Sequence, residues 1–224
     1  MMKQTPVNEI PNLEVLNLIP GGSKRIVEVG SSSGVLAKEY KRLHADCHYT
    51  GIEVDAEYAE LSRRYCDVVL HASIENLDDR AFDGLFPADC WIFADVLEHL
   101  VDPWSVLRRI RSRISAGASI VACLPNVQHW SMQANINRGH FVYEDSGLLD
   151  RTHLRWFTRL SMADLFQSTG FRVAEGAGRI YSHMEPGAKI RAAIQTMAEA
   201  TGANAEVAVS DALAFQWVVR AVPT

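Results

Sequence analysis

Several things are missing from these 224 residues. No run of about 18 apolar residues occurs, so nothing is expected to span a membrane. The opening stretch, MMKQTPVNEIPNLEVL, lacks the apolar centre of a secretory signal, and a cytoplasmic location is the expectation. Cysteine is scarce: Cys47, Cys66, Cys90 and Cys123 form no CxxC pair, and the last two lie inside apolar runs. Reduced, mostly buried thiols are therefore expected rather than a disulfide framework or a zinc site. Positive charge is not in excess. A net charge of −5 gives no broad basic field, so nucleic acid is not expected as a partner. Repeats, low-complexity segments and clear linkers are absent as well.

What is present is the makeup of an ordinary globular protein, 48% apolar and 22% charged. The length suits one domain with a substantial core, read here as residues 1–224. Short apolar runs predict strands at Arg25–Val29, His48–Glu53, Asp67–Leu70, Cys90–Ala94 and Ser119–Leu124. Amphipathic stretches predict helices at Gly34–Leu43, Ala56–Tyr65 and Asp102–Arg113. This alternation builds a parallel sheet covered on both faces. After Leu124 the rhythm fails. Pro125–Phe157 is rich in His, Trp, Tyr and Arg, and reads as a functional insertion covering an acceptor. Beyond it a helix is expected at Ser161–Thr169, with Ser161 as N-cap and Gly170 just past its end. A strand at Phe171–Ala174, a helix at Lys189–Ala200 and a closing strand at Ala214–Val222 complete the reading.

Three strand ends carry the chemistry. EVGSSSG, Glu28–Gly34, turns the first strand into a helix, the place where an α/β sheet holds ligands. Gly30 permits a tight turn, and the helix N-terminus presents its N–H groups. Alone, this loop could equally be a plain connection. GIEVD puts Glu53 at the end of the second strand, roughly twenty residues on, where an acid can take the hydroxyls of a ribose. The bland reading is that Glu53 and Asp55 only start the next helix. At the fourth strand, DVLEHLVDPW gives Asp95 at the strand end, then His99, then Asp102 and Pro103 as a helix start.

Together Glu28–Gly34, Gly51–Asp55 and Asp95–Pro103 resemble a class I S-adenosylmethionine-dependent methyltransferase, with DVLEHLxDP the most specific phrase. The resemblance runs from about Asn12 to Val222. It extends to LPNVQHW and GLLDRTHLRWFT, which look like the bacterial branch often found with glycosyltransferases and cell-surface polysaccharide genes. PNxxHW is also similar to methyltransferase-like proteins associated with methionine biosynthesis. The family implies an α/β, Rossmann-like, seven-stranded and mostly parallel sheet with helices on both faces and its last strand antiparallel. It also implies S-adenosyl-L-methionine as cofactor, leaving as S-adenosyl-L-homocysteine.

Carried over by position, Glu28, Gly30, Ser31, Ser32 and Gly34 would cradle the methionine part. Glu53 and Val54 would meet the ribose, Ser73 and Ile74 the adenine, and Asp95, Val96 and His99 the sulfonium end. Ser32 stands where the family prefers Gly, a change tolerable if φ is negative there. Ser73 stands where the family prefers Asp, and Glu75 is an alternative for that role.

Methyl transfer to a hydroxyl needs an in-line acceptor and a proton acceptor, which a histidine suits. His153, inside the insertion, is the expected base, with His99 second. Each has a structural reading too: His99 tying helix to loop, His153 ordering the insertion against Asp150 or Glu144, and His129 fixing the loop after the fifth strand. Arg151, Arg155 and Arg159 form either a solvated face or a patch for a phosphate-bearing acceptor. His129, Trp130, Tyr143 and Trp156 are further acceptor candidates, the aromatics being equally suited to a core.

The expected acceptor is a small molecule, a sugar or sugar nucleotide among them, and a homodimer stays open. Two rival classes remain. A cofactor-binding regulatory protein without transfer activity is suggested by Ser32 and Ser73. A nicotinamide-linked oxidoreductase would want GxGxxG, which EVGSSSG does not match.

Overall fold

The computed structural model describes residues 10–224. The leaderless start expected from the sequence lies, over residues 1–9, outside the described residues. Seven strands form one sheet: β1 Arg25–Val29, β2 His48–Glu53, β3 Val68–His71, β4 Cys90–Ala94, β5 Ser119–Pro125, β6 Phe171–Arg179 and β7 Gln216–Pro223. Their order across the sheet is β3-β2-β1-β4-β5-β7-β6. The pairs from β3 through to β5 are parallel. Only β7 runs the other way, antiparallel to both β5 and β6. This is the Rossmann-like sheet that the resemblance implies.

The helices are α1 Leu13–Leu18, α2 Val35–Leu43, α3 Ala56–Ser62, α4 Asp79–Asp83, α5 Pro103–Arg111, α6 Trp130–Asn137, α7 Arg159–Gln167, α8 Ala188–Ala200 and α9 Ala205–Leu213. Strand side chains alternate between the two faces of the sheet. On β4, Trp91 and Phe93 enter one core with Leu107 and Ile110 of α5 and Leu165 and Phe166 of α7. Cys90 and Ile92 enter the other, with Val15 of α1, Leu36 and Tyr40 of α2 and Ala59 of α3. Both faces are thus covered, as a parallel sheet requires. The four cysteines are free and buried. No helix among the described residues is long and apolar enough to cross a membrane.

The structure moves several boundaries. Helix α7 is capped by Thr158 rather than Ser161; Ser161 is its third residue and bonds back to Thr158 in a capping box. Gly170 does take the left-handed conformation, with φ +86°. Strand β6 runs five residues beyond the predicted Ala174, to Arg179. The insertion is not irregular throughout, since it holds α6. In α6 only Met132 is buried, so no apolar stripe marked the helix in the sequence. Helix α9 has the same weakness, burying Asp211 and Ala212 alone.

Candidate functional site

The parallel strands β1, β2, β3 and β4 point their carboxyl ends the same way, and the loops leaving them meet around one cavity of about 520 Å³. After β1 the chain turns at Gly30 with φ +73°. A Cβ built there would stand 2.6 Å from Val96 Cγ2, so only glycine lets the loops after β1 and β4 approach this closely. Gly34 caps α2 in a left-handed conformation, packed on the backbone of Ser62.

Ser32 does not meet the condition under which a serine would replace glycine freely. Its φ is +47°, not negative. Such a conformation costs a non-glycine residue about 1–2 kcal/mol. The turn is held by a charge-assisted bond: the Ser32 N–H donates to Glu53 Oε2 at 2.8 Å. Glu53 Oε1 accepts from the N–H groups of Val54 at 2.8 Å and Asp55 at 3.0 Å. Three backbone donors therefore fix this carboxylate, and Oε2 keeps a lone pair for a ligand. The helix-start role belongs to Asp55, which accepts from Glu57 and Tyr58.

At the third loop Ser73 Oγ accepts from the Glu75 N–H at 3.3 Å. The Glu75 carboxylate takes the N–H groups of Val101 at 3.2 Å and Asp102 at 2.8 Å, lashing the third loop to the fourth. Asp95, the first residue after β4, is also left-handed, with φ +56°. Its carboxylate accepts from the Gln216 side chain and the Cys123 thiol. Two strained non-glycine residues on one cavity wall are the kind of feature that clusters at functional sites.

The expected cofactor set comes together. Glu28, Gly30, Ser31, Ser32, Glu53, Val54, Ser73, Ile74, Asp95, Val96 and His99 all line the cavity. Gly34 does not; it seats the helix behind. The wall also includes residues the sequence did not single out, among them Asn12, Tyr58, Thr152 and Leu154. The fit to a nucleoside carrying an amino-acid chain is good in kind. The volume is that of a ligand pocket, Gly30 leaves room where a Cβ would not fit, Glu53 is a preset acceptor, and buried Ser31 Oγ has no partner. Glu28, buried, accepts from Tyr49 Oη at 2.9 Å, and burial pushes its carboxyl up to about 8.

The histidines sort differently from the sequence reading. His99 stands on the cavity wall. Its Nδ1 lies 3.2 Å from the Thr152 carbonyl and 3.0 Å from Thr152 Oγ1. Thr152 Oγ1 in turn donates to Asp150 Oδ1 at 2.6 Å. The hydroxyl proton being spent on the carboxylate, His99 must donate from Nδ1, which leaves Nε2 as a bare lone pair. Burial lowers the His99 pKa.

His153, the expected base, is 7% exposed and does not line the cavity. It is packed edge-on behind His99, with ring centroids 4.8 Å apart. Burial, and then the neighbouring His99, lower its pKa. Of the two histidines expected near the acceptor, His99 therefore reaches the cavity and His153 stands behind it.

The acceptor candidates scatter. His129 caps α6 and is buried between Trp130 and Phe215; burial pushes it down to about 4. Trp130 Nε1 donates to the Met184 carbonyl at 2.7 Å. Tyr143 and Trp156 both pack edge-on against Phe141. The three arginines do not form a patch. Arg151 pairs with Asp145 at 2.8 Å, Arg159 with Asp211 at 2.8 Å, and Arg155 donates to the carbonyls of Leu154 and Val101. None of these residues lines the cavity.

Comparison with known proteins agrees with this geometry. A family model described as "Methyltransferase domain" matches residues 10–175. No curated protein matches the chain. Among solved structures, a methyltransferase of Thermotoga maritima described as a possible histamine N-methyltransferase superposes with a TM-score of 0.59 at 17% identity, over 95% of this chain and 86% of that one. Magnesium protoporphyrin IX methyltransferase of Synechocystis with bound S-adenosylhomocysteine gives 0.57 at 10% identity, over 93% and 77%. Mitomycin 7-O-methyltransferase gives 0.57 at 14%, over 94% of this chain and 52% of that one. At these identities the likeness is one of fold.

Proposed function

Since the chain belongs to the methyltransferase-domain family, we propose that it methylates a hydroxyl of a small molecule, a sugar or sugar nucleotide in the first instance, within the cytoplasm. The cofactor is S-adenosylmethionine, which when bound supplies an electrophilic methyl group on a sulfonium. The observation that carries the reading is a single chamber. Gly30–Ser32, Glu53 and Asp95 share their cavity with His99 and with Thr152 and Leu154 of the insertion. Donor and acceptor therefore meet in one place.

This chain's own residues then have distinct tasks. The Gly30–Ser32 turn accommodates the amino-acid end. Glu53 accepts from a ribose hydroxyl, while the three backbone donors that fix it remove the cost of ordering it at binding. Ser73, Ile74 and the exposed face of Val54 flank the base. Thr152 and Leu154 bring the insertion over the reacting centre, which keeps water out and the acceptor in line. The acceptor proton leaves at the His99 end, where Asp150 and Thr152 hold the ring in one tautomer. A sugar is favoured as acceptor by the likeness of the LDRTHLRWFT segment to polysaccharide-associated methyltransferases.

Calorimetric titration tests the first half. Binding of S-adenosylmethionine with none of NAD is expected, and silence towards S-adenosylmethionine overturns the reading. Transfer of a labelled methyl group to a panel of sugar nucleotides and free sugars tests the second. Label appearing only on non-hydroxyl acceptors would refute the hydroxyl assignment.

A further inference from the structure

Next to His99 stands a group for which the transfer reading has no task. Glu98 is fully buried, at 0% exposure, and its carboxyl oxygens find no hydrogen-bond partner beyond its own backbone N–H. Leaving such a group unpaired is costly, and natural proteins rarely do so without a reason. Its backbone is well anchored, the carbonyl accepting from Leu154 and Arg155 at 2.9 and 3.0 Å. The side chain is thus held inside, beneath the insertion, by structure on both sides of it.

Two imidazoles face it. His153 Nε2 lies 4.0 Å from Glu98 Oε1. His153 Nδ1 lies 3.3 Å from the Leu148 carbonyl, which only an N–H can satisfy. His99 is arranged alike, its Nδ1 proton committed to Thr152 and, through it, to Asp150. Both rings therefore have Nδ1 spent on the protein and Nε2 bare. This outer-shell pattern, with a carbonyl or carboxylate fixing the far nitrogen, is how proteins orient a metal-binding histidine. One ligand atom from each of Glu98, His99 and His153 lies within 4.8 Å of the other two.

The charges agree. The ionised groups felt most strongly at Glu98 are Asp95 and Asp150, both of which disfavour a further negative charge. An ion placed among them would relieve that repulsion.

We propose that Glu98, His99 and His153 bind one divalent first-row metal ion, through one carboxylate and two imidazoles. This donor set suits zinc, manganese, ferrous or cobaltous ions and not magnesium or calcium, which prefer all-oxygen shells. Three protein ligands leave positions open, and His99 puts them beside the cavity. The use of the ion rests on the methyl-transfer reading. With the ion in place His99 serves as a ligand and not as the proton acceptor: the ion would hold the acceptor oxygen and lower its proton affinity, the proton passing to water. The new oxygen–carbon bond then forms as the carbon–sulfur bond breaks, and sulfur keeps the electron pair. His153, set behind His99, acquires a role through the ion.

The test uses the full chain without a histidine tag, stripped with a chelator and titrated with cobaltous and zinc ions. One equivalent per chain is expected, with a cobalt absorption band typical of low coordination number. Glu98→Gln and His153→Gln, each checked for native circular dichroism and S-adenosylmethionine binding, should weaken affinity by about 100-fold or more. Binding that exceeds one equivalent or is equal in wild type and variants overturns the proposal, as does no binding at all. Methyl transfer at full rate in the chelated enzyme also overturns it, while leaving the methyltransferase reading intact. Conversely, stoichiometric metal with no S-adenosylmethionine binding defeats that reading and not this site.

Discussion

The Ser32 N–H donates to Glu53 Oε2 at 2.8 Å, so the loop after β1 is fastened to the carboxylate at the end of β2. This one bond couples the two halves of the proposed cofactor cradle. It also holds a serine in a backbone conformation that glycine takes more readily, at φ +47°. Ser32→Gly removes the strain but loosens the unfolded chain, and the two effects nearly cancel. Denaturant titration should show a change within about 1 kcal/mol, with cofactor affinity preserved. Ser32→Val puts a branched side chain in the same conformation and should destabilise by more than Ser32→Gly changes anything.

Gly30→Ala meets two obstacles, the positive φ of +73° and Val96 Cγ2 at 2.6 Å. The expected loss is about 2–4 kcal/mol, from overpacking and backbone strain together. Val96→Ala in the same chain should recover the steric part and not the backbone part. A double-mutant cycle in urea measures this; simple additivity of the two changes would show that Val96 is not the obstacle.

Glu28 makes stability depend on pH. Its carboxyl is raised from 4.5 to about 8 by burial, so the folded state keeps a proton that the unfolded chain has lost. The contribution is fully present below the unfolded value and is lost as pH rises towards about 8. Wild-type stability should fall between pH 5 and pH 8. Glu28→Gln, which keeps an acceptor for Tyr49 and cannot ionise, should flatten part of that fall. Glu98, raised by burial in the same sense, supplies a slope that remains. Denaturation at the two pH values compares them.

His99→Ala should lower kcat by about 100-fold or more, with little change in cofactor affinity. Thr152→Val cuts the link from Asp150 to His99 Nδ1 while keeping the shape. It should lower kcat less, and shift the pH profile of kcat. Steady-state kinetics across pH reads both. A Thr152→Val enzyme with an unchanged profile would show that the tautomer needs no such support.

Much of this was legible in the sequence, for reasons that vary by element. Strands β1, β2 and β4 match their predicted limits because each is a short apolar run, closed at its carboxyl end by a change in composition. Strand β6 was cut short because EGAGR reads as a loop. Its glycines are there for contact: a Cβ on Gly176 would stand 2.6 Å from Val219, and one on Gly178 2.6 Å from Ala214. Thr158 took the cap from Ser161 because both can cap, and only the back-bond from Ser161 decides between them.

Most of the cavity wall was readable because its residues sit at strand ends in fixed phrases. The insertion was not, because its side chains find partners distant in sequence or unmarked by any pattern: Trp130 with Met184, Arg155 with Val101. Glu98 did leave a signal, an acid inside an otherwise apolar turn, flanked by Leu97 and His99. The phrase was read for what its other residues do.

The strand order carries a consequence for how the molecule is made. β7, residues 216–223, is the partner of both β5 and β6 and lies between them. Until Gln216–Pro223 has left the ribosome, β5 has an open edge and β6 has no neighbour at all. The chain must therefore wait with an unpaired apolar edge while some ninety further residues are synthesised after β5, at the usual rate a matter of roughly 5–20 seconds. An unpaired strand of this kind invites pairing with another chain. Shortening the chain before Gln216 should thus give aggregates, while the same cavity walls are already encoded upstream.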